Sequence, residues 1–441
     1  MRFFVRGWLR WLYPGMQVKR WLILAILSMG LFVVGLLGWA GKDRIRELYY
    51  LFPQGELGQR VIIGLSLLVG GTGFAIGVGR MVHSISKGVA PDRPEKTSAL
   101  IYRTRLLERG PNVVALGGGT GLSTILRGLK ELTSNVTAVV TVTDDGGSSG
   151  RLRTEFDVLP PGDVRNCILA LAEDEERLAR LFHHRFRGGS NLEGHALGNL
   201  LLVGMEQATG GFDRAIEEMS RILNVRGRVL PTTLAKVHLV AQMDDGGRVE
   251  GESRITADPR GIDRIFLSAA RVPAHDLVLD AISHADLILL GPGSLYTSLI
   301  PNLLVEGVAA AIEEAAAEKL YIANLMTQPG ETVGLSLKDH LRVLNEYVRI
   351  SRFDGAIVNV ALPPPAAMAT YQEASVGPVK NDLEEENEYQ LPVIRAELLE
   401  TVELEGKLTV KHDPRRLALA IARNSRAFSP MRSPLDHDKR A

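Results

Sequence analysis

Two uncharged apolar segments near the N-terminus constrain the fold of this chain most strongly. They run from Trp21 to Gly41 and from Val61 to Gly79, and neither contains Asp, Glu, Lys or Arg. At a rise of about 1.5 Å per residue, a helix of either length matches the roughly 30 Å hydrocarbon core of a bilayer. We therefore predict a membrane hairpin over residues 1–80 that contacts lipid through two transmembrane helices.

Cationic residues bracket both segments. They are Arg2, Arg6, Arg10, Lys19 and Arg20 before the first, Lys42, Arg44, Arg46 and Arg60 between the two, and Arg80, Lys87, Arg93 and Lys96 after the second. This distribution favours a multi-pass protein of the plasma (inner) membrane with both termini in the cytoplasm. A cleavable signal peptide is disfavoured, because the first segment is too long for one and a second segment follows. Gly73 and Gly77 have the spacing of a helix contact, within the hairpin or between two copies.

Charge divides the chain into two chemically different parts. Residues 1–110 contain 16 Lys and Arg against 6 Asp and Glu, a net charge of +10, and the rest contains 35 against 45, a net charge of −10. The acidic part argues against nonspecific nucleic-acid binding.

A single cysteine, Cys167, excludes an internal disulfide and a multi-thiolate zinc site. Residues 81–111 are predicted as a linker, in which a basic helix around 102–109 would either rest on headgroups or be solvated.

An α/β domain is predicted to begin at residue 112. The apolar run Val113–Leu116 is followed by a glycine loop and then by apolar residues with helical spacing. The loop consists of Gly117, Gly118, Gly119, Thr120 and Gly121. A helix that follows such a loop offers free N–H groups to an anion. The dinucleotide and P-loop fingerprints both fail, since Leu122 replaces the last glycine and no Lys-Ser/Thr follows. Phosphate binding and simple packing both remain open from this loop alone.

A second predicted strand, over residues 136–142, leads into a polar segment. The segment contains Asp144, Asp145, Gly146, Gly147, Ser148, Ser149 and Arg151. It lies at the carboxyl end of a strand, where open α/β sheets bind ligands. The two carboxylates would hold Mg²⁺ or accept hydrogen bonds from sugar hydroxyls, and Arg151 would contact a phosphate. An ordinary Asp-Gly turn is the alternative.

Later segments repeat this arrangement. Asp163 is predicted to cap a helix and is also a candidate ligand-binding residue. The other candidate ligand-binding residues are Arg165 and Asn166 in that helix, His195 and Asn199 at a loop-to-helix junction, Gly291, Gly293, Ser294, Tyr296 and Thr297 after a strand at 286–290, and Asn324 and Thr327 after a strand at 319–324. Another strand is predicted at 356–360, and residues 238–254 predict an inserted β-hairpin. The predicted fold is therefore α/β: a Rossmann-like, mostly parallel sheet over 112–425, with a flexible tail at 426–441.

Six segments of this part, in order, resemble the YvcK-like gluconeogenesis-factor family, a branch of the CofD-like superfamily. They are GGGTGLSTILRGLK, TDDGGSSGRLR, PPGDVRN, GHALGNLLL, GPGSLYTSLIPNLL and NLMTQPGET. The resemblance implies a nucleoside diphosphate at the point where the strand order reverses. It places Gly117–Gly121 and Gly291–Thr297 at the nucleotide, and Asp144, Asp145 and Arg151 near the diphosphate or sugar.

The resemblance implies two kinds of activity. CofD-type enzymes transfer a 2-phospholactyl group, with Mg²⁺, from a guanosine diphosphate derivative to a deazaflavin precursor of coenzyme F420. The YvcK-like branch is associated with UDP-sugars such as UDP-N-acetylglucosamine, gluconeogenic growth, cell-wall precursor supply and cell shape. We expect a UDP-sugar-binding regulator, with NAD or GDP as other nucleotides for the same site, held as a homo-oligomer at the membrane. A phospholactyl transferase and a membrane scaffold with a vestigial site are the alternatives, and turnover stays open because no obvious nucleophile is present.

Overall fold

A computed structural model describes residues 19–40, 56–89, 104–189, 191–372, 376–383, 387–404 and 406–429. The chain divides into two compact units, Met1–Arg105 and Leu106–Ala441. The predicted loop between the apolar segments, most of the linker and most of the tail lie outside the described residues.

The first unit is an antiparallel pair of helices, α1 (Lys19–Ala40) and α2 (Glu56–Val89). Glycines allow the two backbones to approach: a Cβ at Gly70 would lie 2.5 Å from the backbone nitrogen of Phe32, and one at Gly77 would lie 2.9 Å from that of Ala25. Close approach at small residues is typical of helices that pack in a bilayer. By length and composition, both helices could cross a membrane, over Lys19–Trp39 and Arg60–Ser84.

Trp21 marks one end of the helix pair. The guanidinium carbons of Arg20 and Arg80 lie 5.1 and 5.4 Å from its ring centroid. Aromatic rings beside cationic groups are typical of the headgroup layer. Helix α2 continues beyond Arg80 to Val89, so the beginning of the predicted linker is helical.

A seven-stranded parallel sheet forms the centre of the second unit. Its strands stand in the order β10-β9-β8-β7-β1-β2-β3, and every neighbouring pair is parallel. The strands are β1 (Val113–Gly117), β2 (Val136–Val140), β3 (Arg228–Pro231), β7 (Leu287–Leu290), β8 (Glu318–Ile322), β9 (Gly355–Asn359) and β10 (Val393–Ala396). The strands β1, β2, β7 and β8 are buried along their whole length, as expected of a sheet covered on both faces.

Helices cover both faces of this sheet. Their bounds are α3 (Gly119–Leu129), α4 (Gly147–Phe156), α5 (Gly162–Leu171), α6 (Glu175–Phe182), α7 (Leu197–Thr209), α8 (Phe212–Ile222), α9 (Glu252–Ala257), α10 (Asp276–Ser283), α11 (Ile300–Leu303), α12 (Val308–Glu314), α13 (Leu337–Asn345), α14 (Pro365–Gln372) and α15 (Pro414–Asn424). Alternate residues of β1 enter different cores: Val113 and Ala115 join the core with α3 and α5, whereas Val114 and Leu116 join the core with α10 and α12. The predicted Rossmann-like α/β class is confirmed.

Two small antiparallel elements are added to the main sheet. The predicted inserted hairpin is present as β4 (Leu239–Met243) and β5 (Arg248–Glu250), and β6 (Ile262–Leu267), which the sequence did not predict, completes a three-stranded sheet. A separate C-terminal hairpin consists of β11 (Leu399–Leu404) and β12 (Lys407–His412).

Residues 106–111 pack on the second unit. Leu107 is buried, and its carbonyl accepts a hydrogen bond from the Ser134 N–H at 3.0 Å. The Thr133 hydroxyl donates to the Pro111 carbonyl at 3.0 Å. The end of the predicted linker is therefore bound to the helix and strand that follow it.

Candidate functional site

Both glycine loops lie where the strand order of the main sheet reverses. The chain passes from β1 to β2 and β3 on one side and returns through β7 to the other, so β1 and β7 are neighbours. Gly118–Gly121 follow β1, and Gly291–Ser294 follow β7. Loops at the carboxyl ends of two such strands diverge and leave a crevice, which is where open α/β sheets bind ligands.

A cavity of about 510 Å³ occupies this crevice. This volume lies within the range of pockets for small ligands. The predicted residues that line it are Gly118, Gly119, Thr120, Gly121, Asp144, Asp163, Gly293, Ser294, Asn324 and Thr327. Pro292, within the predicted range Gly291–Thr297, lines it too. Residues that were not predicted from the sequence complete the lining: Thr124, Glu252, Ser298, Leu325, Met326, Gln328, Pro329, Tyr371, Val376, Val410, Lys411 and His412.

The glycines of the first loop are required by close contacts. A Cβ at Gly121 would lie 2.3 Å from the carbonyl oxygen of Pro292, and one at Gly118 would lie 2.8 Å from a carboxylate oxygen of Asp163. Gly119 has a φ of 60°, in the left-handed region that favours glycine. The two loops therefore touch each other through backbone atoms, at the N-terminus of α3.

Asp163 does not cap its own helix, so that prediction was wrong. Pro161 occupies the N-cap position of α5, and the Asp163 carboxylate accepts a hydrogen bond from the Gly119 N–H. The side chain therefore crosses to the N-terminus of α3, where a carboxylate is electrostatically favoured. Burial, and secondly the charge of Asp144, nevertheless raise the pKa of Asp163 to about 7.

Further carboxyl groups face the same region. Burial raises the pKa of Asp144, although the Gly146 N–H donates to it at 2.8 Å. Burial, followed by repulsion from Asp144 and Asp163, raises the pKa of Glu252 to about 9. Carboxyl groups with raised pKa values in a cleft are typical of functional sites. Because each group repels the others when ionised, this end of the cavity attracts a proton or a cation.

Protein side chains alone do not form a complete metal site here. Among the described residues, no group of three or more His, Cys, Asp or Glu side chains is arranged to hold a metal ion. Mg²⁺, however, is commonly held by one or two carboxylates together with the phosphates of a ligand. Asp144 and Asp163 both line the cavity, and the charge of Asp144 helps to raise the pKa of Asp163, so the two fit that arrangement.

The second glycine loop is held by side chains from the strand beside it. Gly293 receives two bonds from Asn324: its N–H donates to Oδ1 at 3.2 Å, and its carbonyl accepts from Nδ2 at 2.8 Å. The loop then enters a π-helical turn, Leu295–Leu299. Glu331, which the sequence analysis did not select, accepts from the Thr297 hydroxyl at 3.0 Å and from the Tyr296 N–H at 3.3 Å. Thr297 and Tyr296 therefore stabilise the loop through their bonds to Glu331.

A buried polar network forms beside the cavity. The Ser148 hydroxyl lies 3.1 Å from Nδ1 of His195 and accepts from Nδ2 of Asn199 at 3.1 Å. Arg165 donates to Oδ1 of Asn199 at 2.8 Å and to Oδ1 of Asn166 at 2.8 Å. These predicted residues bond to one another and do not line the cavity, and the network joins the starts of α4, α5 and α7.

The other predicted residues also lie outside the cavity lining. Asp145 accepts from the Ser253 N–H and hydroxyl at 2.8 and 2.7 Å, which fixes it to α9. Arg151 is exposed, because α4 begins at Gly147 and turns this side chain toward Gly194. The full set outside the lining is Gly117, Asp145, Gly146, Gly147, Ser148, Ser149, Arg151, Arg165, Asn166, His195, Asn199, Gly291, Tyr296 and Thr297.

Comparison with known proteins gives consistent matches. The family model described as 2-phospho-L-lactate transferase CofD matches residues 113–399. A Nostoc protein provisionally named a gluconeogenesis factor is 42% identical over 425 residues, covering 94% of this chain and 92% of that protein. The gluconeogenesis factor of Bacillus subtilis is 47% identical over 289 residues, covering 66% of this chain and 91% of that protein.

A solved structure matches as well. The crystal structure of a UPF0052 family member from Bacillus halodurans is 45% identical, with a TM-score of 0.66, and covers 70% of this chain and 99% of that chain. The second unit alone is long enough for this match and for that with the Bacillus subtilis protein. The match with the Nostoc protein is longer than the second unit and therefore extends into the first.

Proposed function

The chain belongs to the CofD-like family as a member of its gluconeogenesis-factor group, and we propose that it binds a nucleoside diphosphate sugar. The ligand class is that of UDP-N-acetylglucosamine, and its diphosphate lies between the two glycine loops. The observation that carries this proposal is that both loops line one cavity where the strand order reverses. Backbone N–H groups at the N-terminus of α3 suit an anion, and the glycines let a ligand approach the backbone.

A divalent cation is part of the proposed complex. Asp144 and Asp163 would hold Mg²⁺ together with the diphosphate, and the ion would neutralise charge that the carboxylates otherwise concentrate there. In that state Asp163 releases its proton, because an adjacent cation favours the ionised carboxyl. Mg²⁺ should therefore tighten nucleotide binding least at low pH, where the proton and the ion compete, and most above about pH 7, where Asp163 is ionised.

We propose that the protein acts as a regulator that senses the UDP-sugar, linked to gluconeogenic growth, cell-wall precursor supply and cell shape. The first unit would tether it to the cytoplasmic face of the inner membrane. The support is the length of α1 and α2, their apolar surface and the Trp21 ring between two arginines. Self-association as a homo-oligomer belongs to the same proposal.

A transferase is the second candidate function. The family model described as 2-phospho-L-lactate transferase matches most of the second unit. Such transfer depends on positioning and charge more than on a protein nucleophile, which suits a site with two glycine loops and a carboxylate pair. Formation of a phospholactylated deazaflavin from a phospholactyl guanosine diphosphate would support this activity.

Thermal unfolding of the full chain in detergent tests the proposal. A ligand that binds only the folded state raises the melting temperature. UDP-N-acetylglucosamine should do so in the presence of Mg²⁺, and GDP and NAD are the comparison ligands. A larger effect of GDP would favour the transferase. Absence of any effect from all three nucleotides would leave a membrane scaffold whose site no longer functions.

A further inference from the structure

We propose that Gln328 and His412 form a pair of hydrogen-bond acceptors that recognises O–H or N–H groups on the neutral part of the bound nucleotide sugar. The inference rests on the proposed function and assigns the part of the cavity wall that Gln328 and His412 form. Gln328 comes from the segment after β8, and His412 ends β12 of the C-terminal hairpin. Both side chains line the cavity.

The ring of His412 is fixed in one hydrogen-bonding state. One ring N–H donates to the carbonyl of Ala323, and Nε2 is buried without a partner. The donor is therefore Nδ1, and Nε2 carries a lone pair. Burial lowers the pKa of His412 to about 4, so the ring is neutral at physiological pH. A neutral imidazole of this tautomer offers one acceptor.

Gln328 repeats this arrangement. Its Nε2 donates to the Ser294 hydroxyl at 2.9 Å, which fixes the amide and leaves Oε1 as the distal acceptor. Oε1 is buried and has no partner. A buried acceptor without a donor costs free energy, and a ligand that supplies the donor recovers it.

Neighbouring polar groups on this wall are already occupied. Asn324 uses both ends of its amide on Gly293. Thr327 accepts from the Gly377 N–H at 3.1 Å through its hydroxyl. Apolar side chains fill much of the remaining wall: Leu325, Met326, Val376 and Val410. Gln328 and His412 are therefore distinguished from their neighbours by unused acceptor capacity.

The two sides of the cavity consequently differ in chemistry. The glycine-loop side presents the N-terminus of α3, which suits phosphate oxygens. The wall of Gln328 and His412 presents lone pairs, which attract hydroxyl or amide protons. A ligand that satisfies both carries an anionic part and a donor-bearing neutral part. Sugar hydroxyls, a sugar amide and the imide of a pyrimidine base all provide such donors.

Two substitutions at His412 separate the acceptor from the bond to Ala323. His412→Asn keeps a donor near Nδ1 and removes the distal acceptor, whereas His412→Gln places an acceptor near Nε2. His340 supplies the control: it is fully buried, its Nδ1 lies 2.7 Å from the Ser336 carbonyl oxygen, its Nε2 lacks a partner, and it does not line the cavity. His340→Asn therefore reproduces the structural cost without touching the ligand wall.

Isothermal titration of the full chain in detergent with UDP-N-acetylglucosamine measures the effect. His412→Asn should weaken binding about three- to tenfold, as expected for one neutral hydrogen bond. His412→Gln should recover part of the loss, and His340→Asn should bind as the wild type does. Gln328→Met should weaken binding by a similar factor.

A parallel titration with UDP identifies the donor. If His412→Asn weakens the UDP-sugar alone, the donor lies on the sugar; if it weakens UDP equally, the donor lies on the base. Both results support the acceptor pair. Wild-type binding of the UDP-sugar together with unchanged affinity in His412→Asn and Gln328→Met would overturn the pair and leave the proposed function intact. Absence of wild-type binding would overturn the proposed function and the pair with it.

Discussion

The buried carboxyl group of Asp163 should make the second unit less stable as the pH rises from about 4 to about 7. In the folded chain the pKa of this group is about 7, against an ordinary value of 3.8. Between these two values the folded state holds a proton that the unfolded state has lost. Unfolding therefore releases a proton, and the free energy of unfolding falls as the pH rises.

The size of the effect follows from the shift. About three pKa units at about 1.4 kcal/mol each give a loss of about 4 kcal/mol by pH 7, and the loss levels off above that pH. Asp163→Asn replaces the carboxyl group with an amide that cannot ionise but can still accept from the Gly119 N–H. The variant should match the wild type near pH 4 and exceed it by about 2–4 kcal/mol near pH 7.5.

Urea unfolding of the full chain in detergent, followed by circular dichroism with a chelator present, measures this difference. Asp157→Asn is the control, since Asp157 is an exposed carboxylate just after α4. Its profile should follow that of the wild type at every pH. If the Asp163→Asn profile also ran parallel to the wild type between about pH 4 and pH 7, Asp163 would not be the buried titrating group.

Other substitutions test the glycine contacts. Gly121→Ala places a Cβ within 2.3 Å of the Pro292 carbonyl oxygen and should force the two loops apart. The affinity for the nucleotide, measured by titration, should therefore fall by about tenfold or more. Gly204→Ala is the control, because Gly204 has open space around it, and this variant should bind the nucleotide as the wild type does. In the first unit, with one cysteine introduced into each helix, Gly70→Leu should separate α1 from α2 and lower the crosslinking between them, whereas Gly64→Leu, which faces open space, should not. Equal crosslinking in the two variants would contradict the packing.

The main sheet could be predicted because its signals are local. Each central strand is a short apolar run, and each glycine loop follows such a run directly, so β1, β2, β7, β8 and β9 were predicted from the sequence. The outer strands β3 and β10 were not predicted. The strand β6 was missed because the exposed charged pair Asp263 and Arg264 interrupts the apolar residues of Ile262–Leu267.

The site was predictable on one side only. The glycine-rich composition of the two loops allowed Gly118–Gly121 and Gly293 to be predicted as site residues. His412 and Tyr371 lie in segments that contain no such glycine loop, and they reach the cavity through tertiary packing. The prediction for Asp163 failed for a different reason. A carboxylate at the start of a helix is typical of a helix cap, and no local sequence pattern indicates that its hydrogen-bond partner is Gly119, more than forty residues earlier. Long-range partners of this kind require the folded chain.

Residues from both ends of the second unit line the cavity, so the cavity can form only after the segment that contains His412 has been translated. The α1 and α2 segments leave the ribosome first, and under the proposed tether they enter the bilayer while β1 is still being made. The wall that contains His412 is synthesised after every other part of the cavity lining. A chain released early would therefore occupy the membrane without a complete ligand site, so ligand occupancy also distinguishes finished copies of the protein from truncated ones.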